Sequence, residues 1–252
     1  MSAPPTFPPR IRERLGWRAR IGVITPAVGM AVTADFHRIA PEGVAMVLAA
    51  VPKPITEDSV EQLTNVGEGV VEAARRLLLP RADVALWNTS SGSFIKGPGY
   101  DQELIARIQE ATGLRATTAS TAMIEAFRAL GVSRVCLATP YLDEINLIEK
   151  AFLEAHGVEV PAFRGLGILD VGELLDVPAA TMADLARAVD VPEADAVFIS
   201  NAGWSALEVL EGLEAELGKP VISTNQASLW AAFRLAGIHD RVAGHGRLLR
   251  EA

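Results

Sequence analysis

The sequence has few of the residues that disulfide-bonded, nucleic-acid-binding or membrane-spanning proteins need. One cysteine in 252 residues excludes an internal disulfide and favours a reducing compartment. Acidic residues number 31 against 23 Lys and Arg, a net charge of −8, whereas a nucleic-acid surface needs clustered positive charge. No apolar run approaches the ~20 residues that a membrane span requires. We therefore expect a soluble, cytoplasmic protein with no nucleic-acid or membrane partner.

The N-terminal region is the one part that departs from this composition. Residues 1–9 are Pro-rich without an apolar core, so we expect a frayed tail rather than a signal peptide. The arginines that follow are the nearest approach to a basic cluster, and a solvated face or a partner contact explains them more simply than nucleic acid does. They are Arg10, Arg12, Arg14, Arg18 and Arg20.

Signatures of cofactor and metal binding are also missing. The sequence has no Gly-x-Gly-x-x-Gly after a strand, no Walker loop and no His-Glu-x-x-His. Its four histidines lack metal-ligand spacing. Cys136 falls within a predicted strand, which favours a buried structural thiol over a nucleophile. We therefore predict cofactor-free chemistry and no metal site.

What the sequence does contain is a repeat of its own plan. Short apolar runs that end in small polar residues recur about 110 positions later in the chain. Three pairs of segments carry the repeat: 20–26 with 134–140, 82–89 with 194–201, and 113–118 with 218–223. Their offsets of 114, 112 and 105 positions drift only as loop insertions would allow. One duplicated α/β unit explains all three pairs.

Strand-like and helix-like segments alternate along both copies. Apolar runs end near Thr25, Leu48, Asn88, Thr117, Thr139, Phe163, Ser200 and Ser223, and helical periodicity covers 60–78, 100–111, 121–130, 143–156, 205–217 and about 228–236. This alternation indicates βαβ units and parallel sheets. The predicted fold is α/β, with two pseudo-symmetric Rossmann-like lobes, a four-stranded parallel sheet in each, and an active-site cleft between them. The first lobe would comprise residues 1–130 plus 229–252, and the second residues 131–228.

Hydroxyl and amide side chains predominate at the predicted carboxyl ends of these strands, where parallel sheets bind ligands. Each could simply cap the helix that follows it. Six such segments in two symmetric sets favour a shared anion site, most naturally for a carboxylate. The sets are Thr25, Asn88 to Ser91 and Thr117 to Thr121 in the first half, and Thr139, Tyr141, Ser200 to Gly203 and Ser223 to Gln226 in the second.

Five segments resemble the aspartate/glutamate racemase superfamily, and within it the arylmalonate decarboxylase and maleate isomerase branch. They are 25–29 (TPAVG), 89–94 (TSSGSF), 138–146 (ATPYLDEIN), 199–203 (ISNAG) and 244–249 (GHGRLL). The resemblance implies two pseudo-symmetric α/β lobes with the site between them. It also implies cofactor-free chemistry on small acids, through a carbanion or enediolate or by addition of a thiolate to an alkene.

The resemblance assigns site residues, and here the chain departs from the family. The family's two catalytic cysteines correspond to Thr89 and Asn201, which the internal repeat also pairs. Tyr141, or a water held by Asn201, would then supply the proton. Neither a Thr hydroxyl nor an Asn amide readily exchanges a proton with carbon near neutral pH, so two-base racemisation and thiolate addition are disfavoured. The resemblance implies substrate binding by Pro26, Ser90, Ser91, Ala202 and Gly203.

We expect a cofactor-independent enzyme that acts on a small (di)carboxylic acid through an enediolate-like intermediate, as an arylmalonate-decarboxylase-like carbon–carbon lyase. One alternative is a cysteine-less, non-catalytic carboxylate-binding relative, so the sequence does not decide whether the chain is an enzyme. Another is an isomerase, racemase or lyase with a different proton donor, for which the titratable candidates are Asp35, His37, Asp143 and His245. Whether the chain forms a homo-oligomer also stays open.

Overall fold

The computed structural model of the protein describes residues 14–26, 29–53 and 55–252. The expected N-terminal tail, Arg10, Arg12 and the Ala27-Val28 pair of the family-like segment lie outside the described residues. Eight strands are present in these ranges: β1 (Ala19–Thr25), β2 (Val44–Ala50), β3 (Val84–Trp87), β4 (Arg115–Thr118), β5 (Val135–Thr139), β6 (Phe163–Gly165), β7 (Ala196–Ile199) and β8 (Val221–Ser223).

Twelve helices connect and cover these strands in the described part of the chain. They are α1 (Met30–Ile39), α2 (Val60–Val66), α3 (Val70–Arg76), α4 (Ser91–Phe94), α5 (Tyr100–Thr112), α6 (Ala119–Ala129), α7 (Asp143–Ala155), α8 (Val171–Leu175), α9 (Ala179–Val189), α10 (Leu207–Leu217), α11 (Thr224–Leu235) and α12 (Arg247–Glu251).

The strands form two four-stranded parallel sheets of identical order, β2-β1-β3-β4 and β6-β5-β7-β8. The register repeats as well: Ile21 lies opposite Val84 in the first sheet, and Val135 lies opposite Ala196 in the second. Helices flank both sheets, and the central strands β3, β5 and β7 are buried along their whole length, as parallel strands covered on both faces require. The predicted fold class is therefore confirmed.

Two of the polar strand ends serve as helix caps. Thr118 and Ser223 end equivalent strands, and their hydroxyls accept hydrogen bonds from the backbone N–H groups of Thr121 and Gln226. Ser223 and Gln226 form a complete capping box, which satisfies two otherwise unpaired backbone donors. This cap starts α11 at Thr224, several residues before the predicted start near 228.

The predicted helix over 60–78 is interrupted by a 3₁₀ turn, Gly67–Gly69, between α2 and α3. At this turn the Tyr100 side chain packs against the backbone of Gly67 so closely that a Cβ at position 67 would collide with its hydroxyl. The long helical pattern therefore predicted one continuous helix where the structure has two. Helices α1, α4, α8, α9 and α12 lie outside the segments for which the sequence analysis predicted a helix.

The C-terminal part of the chain joins elements from both halves. Helix α11 follows β8 directly and packs most extensively against α6 and β4. After α11, Gln226 Nε2 donates to the His245 carbonyl at 2.5 Å, and the Arg247 N–H donates to the Glu214 carboxylate at 2.9–3.0 Å. The residue boundaries of the two lobes stay a prediction. In the described part of the chain, no helix has the length and apolar character of a membrane span.

Candidate functional site

A cleft of about 580 Å³, its open mouth included, lies at the carboxyl ends of the strands of both sheets. Its lining comes from the first half of the chain on one side and from the second half on the other. The lining residues are Thr25, Pro26, Gly29 to Val32, Ile55, Asp58, Asn88 to Ser91, Val171, Leu174, Leu175 and Asn201 to Gly203. The cleft therefore occupies the place where the sequence predicts a site.

Seven of the eight predicted site residues border this cleft. They are Pro26, Thr89, Ser90, Ser91, Asn201, Ala202 and Gly203. Tyr141 is the exception, because it is completely buried and lies behind Ser90, with its hydroxyl 3.0 Å from Ser90 Oγ. Tyr141 can therefore act on the cleft only through the serine hydroxyl in its present position.

The first-half side of the site is a rigid turn between β3 and α4. Ser93 Oγ donates to the carbonyls of Thr89 and Ser90 at 2.7 and 3.0 Å, and Ser120 Oγ donates to the Ser90 carbonyl at 3.1 Å. These bonds hold the backbone of Ser90 and Ser91 in one geometry, so their hydroxyls are positioned before any ligand arrives.

Two polar atoms on this side have no partner among the described residues. Thr89 Oγ1 and Asn88 Oδ1 are both buried, and neither makes a hydrogen bond. A buried polar group without a partner costs roughly 1–3 kcal/mol. Both residues border the cleft. Their unpaired atoms therefore point to a ligand or an ordered water that completes the site.

Tyr141 is held as a neutral hydroxyl. Burial raises the pKa of its phenol above the usual range, and the nearby carboxyls of Glu149 and Asp58 raise it further; hydrogen bonds with Ser90 and Ser91 oppose both effects. The phenol stays protonated throughout the physiological range. It suits hydrogen-bond donation to the serines, and it is a poor source of a transferable proton.

The second-half side of the site centres on Asn201, just beyond β7, and its side chain has one orientation. The Gly203 N–H donates to Asn201 Oδ1 at 2.5 Å, and only an oxygen can accept that bond. The amide nitrogen therefore faces away from Gly203 and donates to Asp58 Oδ2 at 3.4 Å. The backbone N–H of Asn201 donates to Thr224 Oγ1 at 3.1 Å. Because Asn201 occupies the Gly203 N–H, that group could donate to a ligand only if this bond were broken.

Asp58 is a site residue that the sequence analysis missed. It borders the cleft with only 3% of its surface exposed, and its backbone N–H donates to the Leu169 carbonyl at 2.8 Å. Burial raises the pKa of its carboxyl to about 7, against the opposing hydrogen bond from Asn201. In sequence it reads as a loop acid before Ser59, the N-cap of α2. Nothing local indicates that it meets a residue 143 positions away.

Asp35 is also buried, but it does not border the cleft. Ser205 Oγ and Asn225 Nδ2 donate to its two oxygens at 2.6 and 3.0 Å, and Asn225 Oδ1 accepts from Asn88 Nδ2 at 3.0 Å. Burial raises the pKa of Asp35 to about 6, while Ser205, Asn225 and Arg38 act in the opposite direction. Asp35 therefore orients Asn88 at the cleft through Asn225.

The remaining titratable candidates lie elsewhere in the structure. His37, Asp143 and His245 do not border the cleft. Among the residues that the structure describes, no group of three or more His, Cys, Asp or Glu side chains is placed to hold a metal ion. The acid that faces the cleft is thus Asp58, which was not among the sequence candidates.

Large apolar side chains make up another part of the cleft lining, here called the aliphatic wall. It is formed by Met30, Val32, Ile55, Val171, Leu174 and Leu175. The tryptophans next to the two key strand ends do not contribute to it, because Trp87 and Trp204 are fully buried and Trp204 Nε1 donates to the Leu174 carbonyl at 3.1 Å. The cleft therefore combines an aliphatic wall with a hydroxyl-rich base, formed by Thr89, Ser90 and Ser91.

Comparison with known proteins agrees with this architecture. A family model described as arylmalonate decarboxylase matches residues 21–249. An arylmalonate decarboxylase of Bordetella bronchiseptica is 38% identical over 237 residues, which cover 92% of this chain and 97% of that protein. A maleate isomerase of Nocardia farcinica is 29% identical over 221 residues, which cover 85% and 80% of the two chains.

Solved structures show the same relationship. A crystal structure of a doubly substituted arylmalonate decarboxylase in its liganded form superimposes with a TM-score of 0.87 at 35% sequence identity. That superposition covers 93% of this chain and 100% of the other. The residues matched by the family model, 21–249, include strands of both sheets and the residues that line the cleft. The chain therefore belongs to the arylmalonate decarboxylase family.

Proposed function

We propose that this protein is a cofactor-independent decarboxylase of a malonate-like acid that carries an apolar substituent. The observation that carries the proposal is the unpartnered Thr89 hydroxyl beside the Ser90, Ser91 and Tyr141 hydroxyls, at the base of a cleft with an aliphatic wall. The relative from Bordetella bronchiseptica, an arylmalonate decarboxylase, supports the same reaction class.

The hydroxyls account for recognition of one carboxylate. The Thr89, Ser90 and Ser91 hydroxyls donate to its two oxygens, and Tyr141 supports Ser90 through the hydrogen bond between their hydroxyls. When the other carboxylate leaves as CO₂, the electron pair of the broken C–C bond moves onto the retained carboxylate and forms an enediolate. Donors that are fixed before the charge develops stabilise it by a few kcal/mol each.

The aliphatic wall accounts for loss of the second carboxylate. A carboxylate that faces Val171, Leu174 and Ile55 is poorly solvated, whereas the CO₂ that it becomes is neutral. The apolar substituent of the substrate would lie along the same wall. The retained carboxylate then stays at the hydroxyl-rich base of the cleft.

Thiol chemistry does not fit this chain. The two positions that correspond to the family's cysteines are Thr89 and Asn201, and the single cysteine, Cys136, is buried within β5. Thiolate addition to an alkene therefore lacks its nucleophile, and two-thiol racemisation lacks its two bases.

A cytoplasmic location stays a prediction, because it rests on the cysteine content alone.

A non-catalytic carboxylate-binding protein is the second candidate. The observation that favours it is Asn201, whose backbone N–H, amide oxygen and amide nitrogen are all engaged within the protein. Such a protein would keep the hydroxyl base and bind a small carboxylate without converting it. Binding would raise the melting temperature by mass action.

Proton NMR of the protein with phenylmalonate and methylmalonate in D₂O tests the proposal. We expect a monocarboxylate product that carries deuterium at its α-carbon. Ser91→Ala and Tyr141→Phe should each lower kcat by about 100-fold, because each removes a donor to the enediolate or its support.

Tyr100→Phe is the matched control, since Tyr100 is the other tyrosine, is also buried, and lies away from the cleft. Its turnover should equal that of the wild type. If phenylmalonate raises the melting temperature and no product forms, the result supports the carboxylate-binding protein and rejects the decarboxylase. If Ser91→Ala and Tyr141→Phe both turn over at the wild-type rate, the hydroxyl-rich base does not stabilise the enediolate.

A further inference from the structure

We propose that Asp58 delivers the proton to the enediolate carbon, in the place of the thiol that this chain lacks. The inference rests on the proposed decarboxylation and names the residue that completes it. It follows from the position of the carboxyl in the cleft, the residue that holds it, and the chemistry of the other groups that the substrate would meet.

The geometry places the Asp58 carboxyl beside Asn201, the residue that the family resemblance pairs with a catalytic cysteine. The amide nitrogen of Asn201 donates to Asp58 Oδ2 at 3.4 Å. The Gly203 N–H holds the amide in this orientation. Asn201 is thus a positioning residue that holds the Asp58 carboxyl at the border of the cleft.

The surroundings of Asp58 keep its carboxyl protonated up to near neutral pH. It is 3% exposed, and among the described residues no Lys, Arg or His forms an ion pair with it. The titratable groups that face it are Tyr141 and, beyond the tyrosine, Glu149, neither of which supplies positive charge. With its pKa raised by burial to about 7, the group is matched to proton transfer at physiological pH.

The other groups at the site are poorer acids. The hydroxyl of Thr89 and the amide of Asn201 do not release a proton near neutral pH. Tyr141 is shielded by Ser90, and burial raises the pKa of its phenol above the usual range. Asp35 reaches the cleft only through Asn225 and Asn88. Asp58 is left as the acid with direct access to the substrate.

The step balances without a further reagent. After CO₂ leaves, the enediolate carbon uses its electron pair to bond the Asp58 proton, and the O–H bond breaks toward the carboxyl oxygen. A C–H bond forms, the retained carboxylate is restored, and Asp58 becomes a carboxylate. Solvent at the mouth of the cleft returns one proton to Asp58 before the next turnover. The overall reaction, from a malonate dianion to CO₂ and a monocarboxylate, likewise consumes one proton.

The test is Asp58→Asn, with Glu57→Gln as the matched control. Both changes replace one carboxyl with an amide in the same loop, but the Glu57 side chain is exposed and does not border the cleft. We expect Asp58→Asn to lower kcat on phenylmalonate by about 100-fold or more. Binding of phenylacetate, which cannot decarboxylate, should change by less than about threefold, and Asp58→Glu should recover part of the rate.

The pH profile separates proton donation from a structural role. Wild-type kcat should fall as pH rises through about 7, where Asp58 loses its proton. The Glu57→Gln variant should keep this limb, and Asp58→Asn should lose it along with most of the rate.

An active wild type with an equally active, folded Asp58→Asn variant overturns the role of Asp58 and leaves the decarboxylase in place. If the rate loss of Asp58→Asn equals its loss of phenylacetate affinity, Asp58 acts in binding. That result also overturns its role as proton donor and leaves the decarboxylase in place. A wild type that releases no CO₂ from any malonate overturns the decarboxylase, and the role of Asp58 with it.

Discussion

The two halves of this molecule share a backbone plan and differ in chemistry at matching positions. Sheet order and register are repeated, and so is a hydrogen bond at the start of the central strand. The Arg20 N–H donates to Asp83 at 2.7 Å, and the Arg134 N–H donates to Asp195 at 2.9 Å. Duplication has therefore kept the backbone framework in register.

The buried acids Asp35 and Glu149 show where the halves differ. They are 114 positions apart, the offset of the strands that precede them, and each lies on the helix after the first strand of its half. Asp35 receives hydrogen bonds from Ser205 and Asn225, both in the second half of the chain. Glu149 receives one from Ser200 at 2.6 Å, and its Oε2 has no partner in the described structure.

Their protonation differs accordingly. Burial raises the pKa of Asp35 to about 6 and that of Glu149 to about 8, and the donors that oppose burial are fewer at Glu149. The repeat thus determines where a buried acid sits on the helix. Contacts between the halves decide how strongly that acid holds its proton.

The strand ends show the same contrast in hydrogen bonding. Thr89 and Asn201 are equivalent in the repeat, yet the Thr89 hydroxyl has no partner among the described residues, while Asn201 bonds Thr224, Gly203 and Asp58. The first half leaves an unpaired hydroxyl at a residue that borders the cleft, whereas the second half has an asparagine that holds the Asp58 carboxyl. Three comparisons of matched substitutions test this asymmetry.

The largest effect is expected where the repeat pairs Gly22 with Cys136. A Cβ at Gly22 would lie 2.6 Å from Leu77 Cδ1 and 2.9 Å from the Val84 carbonyl oxygen. Gly22→Ala should lower the free energy of unfolding by about 3 kcal/mol, because β1 must shift to make room. Cys136→Ala should cost about 1 kcal/mol for its lost packing. Urea denaturation of both variants checks this, and equal costs would contradict the packing difference.

The next effect concerns the two buried acids and depends on pH. A carboxyl whose pKa is raised in the folded state stabilises the protein fully below its ordinary pKa, near 4, and loses that contribution as pH rises through the folded value. The stabilising contribution of the protonated carboxyl is lost near pH 6 for Asp35 and near pH 8 for Glu149. At pH 9 the ionised Glu149 side chain is therefore the more destabilising of the two.

Glu149→Gln should raise the melting temperature by about 5 °C at pH 9 and change it little at pH 5. Asp35→Asn should lower it at both pH values, because one amide oxygen cannot accept from both Ser205 and Asn225. Calorimetric scans at the two pH values measure this, and shifts of the same sign at pH 9 would refute the assigned difference.

The smallest effect is expected at the strand ends. Asn201→Ala leaves the Gly203 N–H and the Asp58 carboxyl without their partner, so it should cost about 1–2 kcal/mol. Thr89→Val removes a hydroxyl that has no partner in the described ranges and keeps the side-chain shape, so stability should stay the same or rise slightly. Urea denaturation without ligand compares the two, and a larger loss for Thr89→Val would show that its hydroxyl is bonded.

Much of the fold could be predicted from the sequence alone. All eight strands end within about two residues of the predicted positions. The central strands β3, β5 and β7 are buried on both faces, and such strands are short apolar runs with sharp polar ends. The repeat supplied the sheet arrangement, since two copies of one pattern predict two copies of one sheet. Helices were less certain: Gly67 interrupts one long pattern through a contact with Tyr100 that no local rule contains.

The sequence also determined about half of the residues that border the cleft, mainly the polar ones at the strand ends, since the carboxyl ends of parallel strands meet at one edge. Only the tertiary structure decided which of these side chains have hydrogen-bond partners and which acid borders the cleft beside them. Asp58 meets Asn201 across 143 positions, and Asp35 meets Asn225 across 190. Protonation and hydrogen-bond saturation depend on burial and on partners from distant segments. Both exist only after the two halves have packed together.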